Sequence, residues 1–169
     1  MFRVRLLLTL SASLCALGLC ACAPRAFDAA EESRKVLQRD AAWSAMSSAG
    51  KDTDGVVSFW STDAVVSLQG VPEMRGREAI RQFVAASFKT PGFKIHWTSD
   101  HVEFSPDGKM AYTQSLVETT APGPDGALVK TPGRGVVIWR LESDGVWRCV
   151  MDVSNDLPVV SPPPPPPAK

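Results

Sequence analysis

A long two-stranded hairpin near the carboxyl terminus constrains the fold of this chain most strongly. Residues 134–156 hold two apolar runs joined by Glu-Ser-Asp-Gly, and an Asp-Gly pair tolerates the positive φ angles of a tight turn. In the first run, Val136 and Ile138 point to one side, and Val137 and Trp139 point to the other. A sheet that is wet on one side alternates apolar and polar residues. We therefore expect both faces to be covered. Helices can cover one face, and we expect a ligand pocket or a partner subunit on the second.

The charge of the chain gives no reason to expect nucleic-acid binding. The 169 residues carry 18 basic and 18 acidic side chains. Removing the first 21 residues, which include two arginines, leaves 16 basic against 18 acidic residues. Domains that bind nucleic acid usually show a basic patch. The length predicts one domain, and the apolar content of 44% is enough for a packed core.

The amino terminus has the pattern of a bacterial lipoprotein signal. Two arginines precede an apolar run over residues 6–23, which is short for a membrane-spanning helix of about 20 residues. Its end, Leu-Cys-Ala-Cys, resembles a lipobox in which Cys22 is the lipidated residue. We predict a removed signal peptide over residues 1–21 and a lipid-attached tether over 22–27, on a protein that faces the periplasm from the cell envelope. Plain secretion and an uncleaved anchor are the alternatives.

The elements of the single domain, residues 28–157, change from helices to strands along the chain. Helix-favouring residues and stop signals predict helices over 28–49, 52–60 and 77–88. Strands are expected over 64–68, 93–104 and 109–119 and in the hairpin, with a loop over 69–76 and an interruption at 131–133. This order indicates an α+β fold. Residues 158–169 form a Pro-rich tail that we expect to be extended and inert, or else a ligand for an aromatic groove.

Seven segments, in this order and spacing, carry a family resemblance. They are DAAW at 40–43, FWSTDAVV at 59–66, RGREAIRQF at 75–83, SPDGKMAY at 105–112, VIWR at 137–140, DGVWR at 144–148 and DVSND at 152–156. Together they resemble the SnoaL-like branch of the nuclear-transport-factor-2-like superfamily, close to its ketosteroid-isomerase-like members. The resemblance implies a curved antiparallel sheet wrapped around three N-terminal helices, in the shape of a cone with an apolar cavity at its open end. It also implies a homodimer formed through the outer sheet face.

The resemblance leaves the function open, because the family includes isomerases, dehydratases, cyclases and binding or association domains. Ketosteroid isomerases carry a basic Asp on the first strand, where this chain has Leu68. They carry a Tyr on the first helix, whereas the only tyrosine here is Tyr112 on a later strand. A paired His and Asp, as in scytalone dehydratases, is also missing. His96 and Asp100 lie about 13 Å apart along their strand at ~3.3 Å per residue.

Four residues are candidates for acid–base chemistry: Asp152, Asp40, His96 and Tyr112. Asp152 lies among apolar residues, and a carboxyl in an apolar cavity would have a raised pKa and could act as acid or base. Alternatively, Asp152 accepts hydrogen bonds from Arg140, a tryptophan or backbone donors and has a structural role. Asp40 lies on the apolar stripe of its helix, facing a cavity or paired at the edge of the stripe. His96 could be a pocket base or an exposed strand residue.

Four aromatic side chains are candidates for the pocket wall: Trp43, Trp60, Phe83 and Trp139. They would favour a flat or apolar ligand that a few polar groups orient. We predict no cofactor and no metal, since two histidines without clustered cysteines do not make a zinc pattern. The preferred hypothesis is a small-molecule binding module in a homodimer. An acid–base enzyme and a non-catalytic assembly module are the alternatives.

Overall fold

The structure is a computed structural model, and it describes residues 27–158. Three helices and six strands follow one another along this part of the chain. They are α1 (Ala29–Ala49), α2 (Thr53–Val57), β1 (Trp60–Leu68), β2 (Met74–Arg75), α3 (Arg77–Lys89), β3 (Lys94–Phe104), β4 (Met110–Pro122), β5 (Leu128–Leu141) and β6 (Trp147–Asp156).

All six strands belong to one sheet with the order β2-β1-β6-β5-β4-β3. Successive long hairpins join β3, β4, β5 and β6 in antiparallel pairs. The sheet is curved and does not close, and the helices lie on its inner side, so the predicted α+β cone is confirmed. One pair differs from the antiparallel rule, since β1 runs parallel to β6.

Local chemistry fixes the ends of α1 close to the predicted bounds. The carboxylate of Asp28 accepts hydrogen bonds from the backbone N–H groups of Ala30 and Glu31, at 3.0 and 3.1 Å. At the other end Gly50 takes a left-handed conformation with φ of 62°, which glycine adopts without steric cost. The predicted helix over 28–49 is therefore confirmed to within one residue.

Several predicted element boundaries were wrong, among them the end of α2, which lies at Val57 instead of residue 60. The loop predicted over 69–76 contains the short strand β2, and β1 begins at Trp60 instead of residue 64. The segment 131–133 does not interrupt the sheet, because β5 is continuous through it. Pro132 lacks an N–H, but its carbonyl accepts the Leu157 N–H at 2.8 Å and so contributes to the pairing.

An aromatic cluster forms the centre of the core. Trp43 of α1, which is 2% exposed, packs against Phe59, Trp60, Trp97 and Trp139 with ring centroids 4.5 to 5.8 Å apart. Three of these contacts, those with the tryptophans, are edge-on, a favourable geometry for aromatic rings. The cluster ties α1 to strands β1, β3 and β5.

The hairpin of β5 and β6 is apolar on both faces, as its sequence predicts. Val137 is 5% exposed and Trp139 is fully buried on the inner face. Val136 and Val153 lie on the outer face and are 39% and 37% exposed. We call the apolar outer surface around them the outer patch, which consists of Tyr112, Leu116, Val136, Ile138, Met151 and Val153.

The predicted signal peptide over 1–21, most of the tether including Cys22, and the tail beyond Pro158 lie outside the described residues. Within residues 27–158, no helix combines the length and the apolar character needed to cross a membrane.

Candidate ligand-binding cavity

An apolar cavity of about 100 Å³ lies between the helices and the inner face of the sheet. All three helices and strands β1, β3, β4, β5 and β6 contribute side chains to it. Its apolar lining consists of Trp43, Val56, Trp60, Val66, Leu68, Ile80, Phe83, Val84, Phe88, Phe93, Ile95, Trp97, Val117 and Val137. Its polar lining consists of four serines, Ser47, Ser87, Ser115 and Ser154, and of Asp152.

Small residues keep the sheet side of the cavity open. Gly135 of β5 lines the cavity opposite Ser115 of β4, with which it pairs. A Cβ at Gly135 would come within 2.8 Å of the Ser115 Oγ, which is too close without a shift of that side chain. The missing side chain thus leaves room where the two strands meet.

Asp152 is the one ionisable residue in the cavity lining. On the inner face of β6 it pairs with Val66 on one side and with Val137 on the other, so its neighbours in the sheet are apolar. It is half-buried, and we attribute the surface that it keeps to the cavity that it lines. Burial, and then the nearby charge of Asp40, raise the pKa of the Asp152 carboxyl to about 7.

The carboxyl of Asp152 accepts no hydrogen bond from any residue in the range 27–158. The alternative in which Arg140 holds it was wrong. Arg140 instead donates to both carboxylate oxygens of Asp63, at 2.8 and 3.2 Å, and to Glu142. Asp152 is therefore available to a ligand.

Asp40 is buried beside the cavity and does not line it. Its side chain is 2% exposed, and the indole N–H of Trp97 donates to its Oδ1 at 3.1 Å. Burial raises the pKa of the Asp40 carboxyl, while the nearby Ser99 hydroxyl and the Trp97 N–H lower it in part. Ser99 lacks a well-formed hydrogen bond within the described residues. Asp40 is therefore paired, and its partner is the indole of Trp97.

Asp40 faces a second depression, which we call the α1–β3 groove. It is an open groove of about 390 Å³ between α1 and β3. Small and polar residues line it: Asp40, Ala41, Ser44, Ala45, Ser48, His96, Trp97, Thr98 and Ser99.

Three of the four predicted pocket aromatics line the cavity, namely Trp43, Trp60 and Phe83. Trp139 does not, and that prediction was wrong. Its ring is fully buried behind Trp43, and its N–H donates to the Thr113 hydroxyl at 3.0 Å. Trp139 is part of the packed core below the cavity.

His96 and Tyr112 do not line the cavity, so the structure does not bring these two candidate residues together with Asp152. Ile95 and Trp97 line the cavity, so the pleat turns His96 outward, where it is exposed at the α1–β3 groove. Tyr112 lies on the outer patch and is 39% exposed. The alternative reading of His96 as an exposed strand residue was therefore the correct one.

Sequence reasoning missed Trp97 as a cavity residue. The available signal was its alternation with Ile95 and Ser99 along β3, which places all three on one face.

The side chains that could bind a metal are dispersed, since no group of three His, Cys, Asp or Glu side chains in the described part of the chain could hold an ion.

Several solved structures share the fold of this chain. A ketosteroid isomerase-like protein from Erwinia carotovora atroseptica shares 17% identity, with a TM-score of 0.61 over 75% of this chain and 98% of that one. A conserved protein from Planctomyces limnophilus shares 17%, with a TM-score of 0.65 over 77% and 99%. An NTF2-like protein with a cystatin-like fold from Novosphingobium aromaticivorans shares 16%, with a TM-score of 0.59 over 76% and 83%. This chain thus has the NTF2-like cone fold.

The family follows from the sequence itself. The model of the SnoaL-like domain family matches residues 41–150, and the chain belongs to this family. The family has ligand-binding cavities and includes some isomerase and dehydratase members. None of the curated proteins matches the sequence.

Proposed function

We propose that this protein binds a small, largely apolar molecule carrying one polar group, with that group against Asp152. The observation that carries the proposal is an apolar cavity in which one ionisable side chain has no hydrogen-bond partner among residues 27–158. A polar group buried without a partner costs about 1–3 kcal/mol, and the half-buried carboxyl of Asp152 carries part of that cost. A ligand that completes the hydrogen bond of Asp152 recovers part of that cost, so polar matching adds to the burial of its apolar surface.

The raised pKa of Asp152 widens the range of polar groups that can bind. With a pKa of about 7, the carboxyl is present in both forms near neutral pH. The ionised form accepts a hydrogen bond from a hydroxyl or an amine, and the protonated form donates one to a carbonyl oxygen. The hydroxyls of Ser47 and Ser154, which also line the cavity, can add further contacts.

Native mass spectrometry of the protein purified from its own host tests this proposal. We expect a small co-purifying molecule that is released on denaturation, and a lower occupancy in Asp152→Leu, which removes the polar contact at similar volume. An empty cavity that also binds none of a panel of one-ring alcohols, amines and ketones contradicts the proposal.

A second candidate function is acid–base catalysis by Asp152. A pKa of about 7 is close to the working pH that favours a general acid or base. Since His96 and Tyr112 point outward, Asp152 would act with no help from them. We would incubate the protein with cyclohexanone in D₂O and follow exchange of the protons next to the carbonyl by NMR. Catalysis predicts faster exchange than with Asp152→Asn, and equal rates contradict it.

We also propose that two copies associate through the outer patch. Among its members, Leu116 is 67% exposed and Val136 is 39% exposed, and a cluster of exposed apolar residues commonly marks an interaction site. Light scattering during gel filtration should report a dimer for the wild type and a monomer for Val136→Lys, with unchanged circular dichroism. A monomeric wild type at all concentrations contradicts this proposal. A dimer whose cavity binds nothing would favour the assembly alternative.

The proposed cellular location is the bacterial envelope, through a lipid on Cys22. The support is the sequence pattern at residues 19–22 alone. Labelling of the host with radioactive palmitate should mark the wild type but not Cys22→Ala. Equal incorporation would remove the anchor and favour plain secretion.

A further inference from the structure

The size of the cavity limits what it can hold without a change. Its volume is about 100 Å³. An engineered cavity of roughly 150 Å³ holds one benzene molecule, and ordinary ligand pockets measure roughly 300–1,000 Å³. The cavity itself thus suits about one small ring, and a larger ligand either extends beyond its open side or requires part of the wall to move.

Trp97 is the part of the wall with space on both sides. Its side chain lines the cavity and also the α1–β3 groove of about 390 Å³. The groove is lined on the helix side by short side chains such as Ala41 and Ala45, so it has room for an indole. We call Trp97 in this position the partition.

Two separate sets of contacts hold the partition. The Ser44 Oγ accepts the Trp97 backbone N–H and donates to the Trp97 carbonyl, each at 2.8 Å, which fixes the main chain. The side chain is held by the hydrogen bond from its Nε1 to Asp40 at 3.1 Å and by an edge contact with Trp43 at 5.0 Å. The main chain therefore stays in place if the hydrogen bond to Asp40 is lost, while the indole gains freedom.

We infer that Asp40 and Trp97 set the size limit of the cavity. Asp40 is a positioning residue, because it lies outside the cavity and holds the partition that a ligand would touch. Without this hydrogen bond the indole turns into the α1–β3 groove, the two spaces join, and ligands of two rings enter. The inference rests on the proposed ligand binding and adds to it which residues select ligands by size.

Calorimetric titration with phenol, which has one ring, and 2-naphthol, which has two fused rings, tests the inference. The wild type should bind phenol more tightly. In Asp40→Ala the affinity for 2-naphthol relative to phenol should rise roughly tenfold, the equivalent of one hydrogen bond to a charged group. Asp40→Asn keeps an oxygen acceptor for the indole and should keep the wild-type ratio. Thr98→Ala, which changes the groove but not the hydrogen bond, is the matched control.

The outcomes separate this inference from the proposed function. If the wild type binds neither probe, ligand binding and the inference both fail. If the wild type binds phenol and Asp40→Ala leaves the ratio of the two affinities unchanged, the inference about Trp97 is overturned and the proposed ligand binding stands. A similar rise in Thr98→Ala also overturns it, because the groove alone would then set the limit.

A second measurement needs no ligand. It can be used if the Asp40→Ala protein is too unstable for titration. Exchange of the Trp97 indole proton with solvent, assigned by NMR with Trp97→Phe, should be slow in the wild type and in Asp40→Asn. It should be at least roughly tenfold faster in Asp40→Ala, since the hydrogen bond that protects it is gone. Equal exchange in all three proteins overturns the inference.

Discussion

The two faces of strand β5 have the same apolar character but very different surroundings. Val136 and Val137 are adjacent and chemically identical, yet one is 39% exposed and the other 5%. The inner face packs under the helices, and the outer face has no covering element within residues 27–158. The comparison teaches that an apolar pattern marks a face to be covered, while the rest of the fold decides what covers it.

The inner face itself has two zones. At one end Trp139 and Cys149 are fully buried in the packed core, and burial raises the pKa of the Cys149 thiol well above its ordinary value. At the other end Gly135, Asp152 and Ser154 border the cavity. Filling with large side chains thus gives stability in one zone, and small or polar side chains give space in the other.

Truncation of the packed zone should have the largest effect. Trp139→Ala removes a fully buried ring and its hydrogen bond to Thr113, and should lower the free energy of unfolding by roughly 3–5 kcal/mol. Ile138→Ala, its neighbour on the outer face, should lower it by about 1 kcal/mol or less. Urea unfolding checks both variants, and equal losses would contradict the difference between the faces.

The pH dependence of stability should reveal the unpartnered carboxyl of the open zone. The pKa of Asp152 is about 7 in the folded protein, against 3.8 as its ordinary value, so the folded state holds a proton that the unfolded state releases between these values. Its stabilising contribution is complete below about pH 4 and is lost as the pH rises toward 7, by up to about 1.4 kcal/mol per pH unit.

Asp152→Asn removes this dependence, so the variant should gain stability relative to the wild type between pH 4 and 7. Asp40, whose pKa is also raised by burial, contributes a slope of the same sign in both proteins. The measurement is the difference between the two unfolding free energies at each pH. A constant difference across this range would show that Asp152 is ionised throughout.

The two adjacent valines, Val136 and Val137, offer the test with the smallest expected effect. Val137→Ala should cost roughly 2 kcal/mol, since two buried methyl groups are removed next to the cavity. Val136→Ala should change the stability of the single subunit by about 0.5 kcal/mol or less. Unfolding of both variants at low protein concentration, where any dimer dissociates, gives the comparison. A larger loss for Val136→Ala would reverse the assignment of the faces.

Much of the fold could be predicted from the sequence, because its signals are local. The capping residues Asp28 and Gly50 mark the ends of α1, and the Asp-Gly turn marks the β5–β6 hairpin. The error at Pro132 arose because proline usually ends a strand, whereas here only its carbonyl is needed.

The site was harder to predict, because a strand pattern shows which residues share a face but not which face is inside. His96 was predicted as a pocket residue and its neighbour Trp97 was missed, and only the position of α1 over β3 shows that Trp97 points inward. Trp139 was predicted to line the pocket, but it lies deeper in the cone. At that depth a large side chain packs in the core and does not line the cavity. Asp152 could be singled out because a carboxyl among apolar residues is costly to bury.

The parallel pairing of β1 with β6 has a consequence for biosynthesis. Along the chain, β1 is the first strand and β6 is the last. Val66 therefore meets Asp152 only when nearly all of the domain has left the ribosome. Contacts between residues so distant in sequence slow folding, because a long loop must close before they form. A nascent chain that stops before residue 147 would leave the inner edge of β1 without its neighbour, and would be a substrate for chaperones and proteases instead of a folded domain.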